Sequence, residues 1–92
     1  MTLTHNGFAL TLERTQYALG GIALQAYCED GPYMTCTVCI PEVDLKEHEV
    51  IIKDYNENAG ILEALVRAGI VSKPIGIVFV GYAYAHVCLL LP

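Results

Sequence analysis

Phe8-Ala9-Leu10-Thr11-Leu12-Glu13 and, after Gly20-Gly21, Ile22-Ala23-Leu24-Gln25-Ala26-Tyr27 are the two stretches whose reading decides the fold. In both, larger apolar side chains alternate with small or polar ones at period two, which sends successive residues to opposite faces of an extended strand. A hairpin is the natural reading. Glu29-Asp30-Gly31-Pro32 is a dense turn signal, and Met34-Thr35-Cys36-Thr37-Val38-Cys39-Ile40 then resumes the alternation. The spacing predicts a third antiparallel strand with Met34, Cys36, Val38 and Ile40 on one face. Pro41 stops it, Glu42 to Glu49 reads as a polar connection, and the β-branched Val50-Ile51-Ile52-Lys53 reads as a fourth strand.

The best local signal comes next. Asp54 and Glu57 stand as in a D-x-x-E capping box, so a helix is expected from about residue 55 to 68. Ile61, Leu62, Leu65 and Val66 make its buried stripe, and Glu63 with Arg67 an exposed pair four apart. Gly69 is the expected left-handed stop, with Ile70 folding back on Leu65. Gly60 weakens the first turns and allows a later start near Asn58. Pro74 blocks continuation. Ile75 to Leu91 is long enough for two strands bent near Gly81, or one long strand bulged there. The fold class is therefore α+β, a single domain over residues 1–92, in which one antiparallel sheet of five or six strands carries one helix on one face.

Composition bounds the function. A chain of 92 residues buries about 64% of its extended surface, a modest core. Hydrophobic residues make up 54% and charged residues only 16%, which excludes disorder, collagen and coiled coil. Ten acids against five bases give a net charge of -5, so the basic footprint of direct nucleic-acid binding is absent. So few charges over so much apolar surface favour a homo-oligomer, such as a homodimer, or a protein partner. Met1 to Arg14 lacks a signal-peptide pattern, and a cytoplasmic setting is expected. Ile75 to Leu91 carries no formal charge over 17 residues, but its glycines, tyrosines and β-branched residues suit paired strands better than a membrane helix.

Little in the chain suggests catalysis. Cys36 and Cys39 spell C-x-x-C, yet residues three apart on a strand face opposite sides and cannot share a metal. Buried free thiols are expected for Cys28, Cys36, Cys39 and Cys88, with a mixed site of Cys28, Cys36, Cys88 and His86 as the alternative. Ser72 is the sole serine, His5 falls in a terminus expected to fray, His48 lies in the acidic connection, and no spacing pairs His86 with a partner. No catalytic residue, metal ligand set or cofactor is assigned.

The most distinctive chemical feature is acid. Glu42, Asp44, Glu47, Glu49, Asp54 and Glu57 crowd into sixteen positions, relieved only by Lys46 and Lys53 and accompanied by Tyr55. Such a run is either a solvated face or a patch that docks on a basic protein surface. These residues are the candidate partner-binding set, and Val78, Val80, Tyr82 and Tyr84 the candidate oligomer interface, where amphipathic aromatics act as anchors.

The segment from Ile51 through Leu65, with Lys53-Asp54-Tyr55-Asn56-Glu57-Asn58 and Gly60-Ile61-Leu62, follows the pattern I-K-[DN]-[YW]-[NS]-E-N-x-G-[IVM]-L-x-x-L, and Gly81-Tyr82 with Val87-Cys88 follows a closing-strand pattern. Over about half its length the chain thereby resembles small uncharacterised bacterial proteins of plasmids, conjugative elements and prophages. The acid cluster and the missing catalytic constellation point to a non-enzymatic binding protein. A small acidic chain that resembles proteins of mobile elements suggests, by analogy, an anti-CRISPR or antirestriction inhibitor that blocks a host defence system through its acidic face. A homo-oligomeric structural module is the alternative, and a small metal-binding or hydrolytic protein using Cys and His is the third reading.

Overall fold

In a computed structural model that describes residues 1–92, β2 (Phe8–Gln16) and β3 (Ile22–Cys28) form the expected hairpin, with Leu12 opposite Ala26 and Arg14 opposite Leu24. Leu10, Leu12, Leu24 and Ala26 point inward, while Thr11, Glu13 and Thr15 meet solvent. The alternation thus follows burial. Where the sequence predicts a fraying terminus around His5, a further strand, β1 (Thr2–His5), pairs with β2, placing Leu3 opposite Leu10. His5 is 6% exposed, so its assignment to a loose end is corrected. Asn6 and Gly7, at φ 50 and 80, supply the two positive dihedrals of a two-residue turn whose twist matches the strands. β4 (Gly31–Thr35) completes a sheet of order β1-β2-β3-β4.

The second sheet holds β5 (Glu49–Ile52), β6 (Gly76–Val80) and β7 (Ala83–Leu89) in the order β5-β7-β6, every neighbour antiparallel. The expected single sheet of five or six strands is therefore corrected to seven strands in two sheets. The cause lies at Cys36. Its N–H donates to the Leu24 carbonyl at 2.8 Å, its carbonyl accepts from the Lys53 N–H at 2.8 Å, and the Val38 N–H then donates to the Ile51 carbonyl at 3.0 Å. The chain thus leaves the first sheet and runs along the edge of β5. The bend also divides the residues expected on one face: Cys36 enters the main core, whereas Val38 and Ile40 pack against a smaller cluster.

The main core joins both sheets to the helix, with Leu10, Leu24 and Cys36 from the first sheet and its continuation, Val50, Ile52 and Cys88 from the second, and Ile61 and Leu65 from the helix. On the other face of the second sheet, Ile51, Ala85 and Val87 form a cluster that Val38, Ile40, Val43 and Leu45 pack against. β5 is buried on both faces, which is why it reads as a continuous apolar run.

Helix α1 (Ile61–Arg67) is shorter than expected. A separate 3-10 turn spans Asn56–Asn58, and Gly60, at φ 93, breaks the two apart. The capping box is correspondingly rearranged: the Asp54 Oδ1 accepts from the Leu62 N–H at 3.0 Å, and Glu57 turns to the Lys53 ammonium at 2.6 Å. The helix end matches its expectation closely. The Ile70 N–H donates to the Leu65 carbonyl and the Gly69 N–H to the Val66 carbonyl, both at 3.0 Å, with Gly69 at φ 74. This is the Schellman pattern.

Candidate interaction surfaces

The acidic run divides at β5. Glu42, Asp44 and Glu47 are exposed on the loop before it, and no Lys or Arg forms an ion pair with any of them. Glu49 has a local task, since its Oε1 accepts from the Lys46 N–H at 2.7 Å and its own N–H donates to the Lys46 carbonyl at 3.0 Å, closing the turn. Past β5, Asp54 caps the helix and Glu57 is held by Lys53. The Lys53 ammonium, hydrogen-bonded to Glu57, keeps that carboxyl below its usual range. Tyr55 is half-buried against the Ile51 cluster, with the Lys53 ammonium 5.8 Å from its ring centroid. Three of the six acids are thus engaged in holding the fold, and Tyr55 is packed rather than presented.

The polar and nucleophilic side chains are likewise held in place. All four cysteines are free thiols. Burial pushes the Cys36 thiol up to about 12 and the Cys88 thiol up to about 11, leaving both protonated and unreactive. No group of three or more His, Cys, Asp and Glu is placed to hold a metal ion. Ser72 donates to the Lys73 carbonyl at 2.8 Å and accepts from the Leu89 N–H at 2.9 Å, which ties it to the end of β7. The Nδ1 of His86 is buried without a partner, and its ring stands edge-on to Tyr84 with centroids 5.4 Å apart.

A groove of about 470 Å³, mixed polar and apolar in character, opens where the two sheets meet, lined by Tyr17, Thr37, Cys39 and Lys53 among others. The sequence reading did not single out Tyr17. Its hydroxyl lies 2.7 Å from the Thr37 Oγ1, which also accepts from the Leu24 N–H at 3.3 Å. Burial raises the Tyr17 pKa, and the Thr37 hydrogen bond opposes that rise. The groove brings together no nucleophile with a base and an orienting group.

The surface that departs most from an ordinary solvent face is the β6–β7 hairpin. Its two-residue turn has Gly81 at φ 61 followed by Tyr82. Val78 and Val80, expected at an oligomer interface, pack against the Ile51 cluster, whereas Ile77, Phe79 and Tyr84 lie on the opposite face. Phe79 is 77% exposed, Ile77 54% and Tyr84 53%, and Tyr82 stands clear at the turn. Thus Tyr82 and Tyr84 remain candidates for contact, and Ile77 and Phe79 join them. No protein-family model, no curated protein and no solved structure matches the chain. No helix is long and apolar enough to cross a membrane.

Proposed function

We propose that this chain is a protein-binding domain without catalytic chemistry of its own, and that it binds through the β6–β7 hairpin. The observation carrying this reading is the apolar solvent face of Ile77, Phe79 and Tyr84, flanked by exposed Ile75 and Tyr82. From Ile75 to Leu91 there is no Asp, Glu, Lys or Arg. Large apolar side chains gathered on one exposed face mark a contact surface, because singly scattered ones suffice for the rest of a small protein. Aromatic anchors of this kind dominate the centres of interfaces.

A second reading uses the exposed Glu42, Asp44 and Glu47, none of them paired with Lys or Arg, as a negative patch for a basic protein surface. Together with the likeness to proteins of mobile elements, it supports an inhibitor that occupies a nucleic-acid channel of a host defence system. Capture from a host lysate separates the two. A Phe79→Ser and Tyr84→Ser double variant losing a stoichiometric protein partner at all salt concentrations supports the hairpin. Loss at high salt, and in a Glu42→Gln, Asp44→Asn, Glu47→Gln variant, supports the acidic loop. Capture untouched by either variant contradicts both.

A further inference from the structure

We infer that the occupant of the hairpin surface is a second copy of this chain, joined by antiparallel pairing of the two β6 edges. This rests on the protein-binding reading and narrows it to one partner. The two sheets have four edges, and three are blunted. β1 is only four residues long, carries Thr2 and Thr4 and lies against α1; β4 contains Pro32; β5 is already paired to the Cys36–Val38 segment. Short polar strands, proline and covering chain are the usual devices that keep an edge from pairing. β6, Gly76-Ile77-Val78-Phe79-Val80, has none of them.

The ladder shows which groups are free. The Leu90 N–H donates to the His48 carbonyl at 2.7 Å, so at period two Cys88 and His86 direct their main-chain groups to β5. Val87 and Ala85 then direct theirs to β6, where they oppose Gly76 and Val78. The main-chain groups of Ile77 and Phe79 are left on the open edge. A twofold axis at Val78 would set Ile77 of one copy against Phe79 of the other, each such pair exchanging both N–H···O bonds. Gly76 then faces Val80, a glycine beside a β-branched side chain. The strand is self-complementary in pattern, as an isologous contact requires.

Charge points to the same occupant. With a net charge of -5, two copies repel over most of their surfaces, and the uncharged run from Ile75 to Leu91 is where they can meet without opposing carboxylates. Area sets the strength. Ile75, Ile77, Phe79, Tyr82 and Tyr84 together expose about 700 Å² per chain, close to the ~800 Å² that each partner gives to a standard interface. Edge pairing removes only a part of this, so the dimer is expected in the micromolar range rather than the nanomolar one.

Light scattering on the full chain from about 1 µM to about 1 mM tests the inference. The expected result is a rise from the 10.0 kDa of one chain to twice that value. Ile77→Lys and Phe79→Lys, with unchanged circular dichroism, should remain monomeric throughout, because a lysine on each copy brings like charges together across the twofold axis. Leu19→Lys, which changes an equally exposed side chain on a turn of the first sheet, should still dimerise. A wild-type monomer at the highest concentration, or a dimer that survives both β6 lysines, overturns the inference. If the chain stays monomeric yet loses a different protein on Phe79→Lys, the second copy is rejected and the protein-binding reading stands. If it stays monomeric and captures nothing, both fall.

Discussion

The solvent face of β2 carries Thr11, Glu13 and Thr15, whereas the solvent face of the β6–β7 hairpin carries Ile77, Phe79 and Tyr84. β2 lies in an antiparallel sheet with one side turned to the core, and the usual result of that arrangement is polar residues outside. The second sheet packs core clusters against both faces, yet Ile77, Phe79 and Tyr84 extend beyond them into solvent. β2 conforms. The hairpin places valines inward at Val78 and Val80 and large apolar side chains outward, so it is apolar on both faces. Folding requires only the inward set. The proposed pairing with a second copy would account for the outward set.

The comparison predicts where mutations act. Leu24→Ala, at a fully buried position of β3, should lower unfolding free energy by about 2–5 kcal/mol in urea titrations. Phe79→Ser in dilute protein should change it by no more than about 0.5 kcal/mol, the range of ordinary surface substitutions. Equal costs would erase the distinction between the two surfaces.

Thr37→Val sharpens the account of the junction between the sheets. It removes the acceptor of the Leu24 N–H and the partner of the Tyr17 hydroxyl, and should cost about 1–3 kcal/mol. It should also move Tyr17 ionisation, already above the ordinary value of 10.0 through burial, further upward, since the lost hydrogen bond pulled the other way. The stability tied to Tyr17 is present below 10.0 and is lost as pH rises through its raised pKa. Ultraviolet titration of the wild type and variant reads the shift; movement downward contradicts the assignment.

Smaller effects are expected at the helix ends. Gly69→Ala meets nothing within 4 Å, so its cost of about 1 kcal/mol should be purely that of a side chain at φ 74. Asp54→Ala, losing the bond from Leu62, should cost about 1 kcal/mol by the same urea assay. The least change is electrostatic: Lys53→Gln should move the lowered Glu57 carboxyl upward in an NMR titration, part of the lowering remaining because a backbone hydrogen bond at Glu57 persists. That pair's contribution is present above the ordinary glutamate pKa and fades as pH falls through the lowered one.

The β2–β3 hairpin and the Gly69 helix end were legible because each rests on local rules, alternation in one case and a left-handed glycine in the other. β1 was legible too: Asn6-Gly7 is the strongest short hairpin signal, and it lay between Thr2–His5 and Phe8. The division into two sheets was not, because it depends on Cys36 bonding to both Leu24 and Lys53, partners on separate strands. The acidic cluster was visible as composition, but the engagement of Glu49, Asp54 and Glu57 with Lys46, Leu62 and Lys53 depends on turns that composition does not describe. In the tail, an apolar run on both faces hides its register, so Val78 and Val80 were grouped with Tyr82 and Tyr84 although they pack inward.

Hydrogen exchange resolved at the Ile77 and Phe79 amides, compared between dilute and concentrated protein, is the most direct test of the hairpin as the binding surface. These N–H groups lie on the open edge and should exchange quickly in dilute solution. Protection that rises with concentration at Ile77 and Phe79, while Val78 stays protected by β7 throughout, is the predicted result. Fast exchange of both amides at every concentration would contradict β6 pairing between copies.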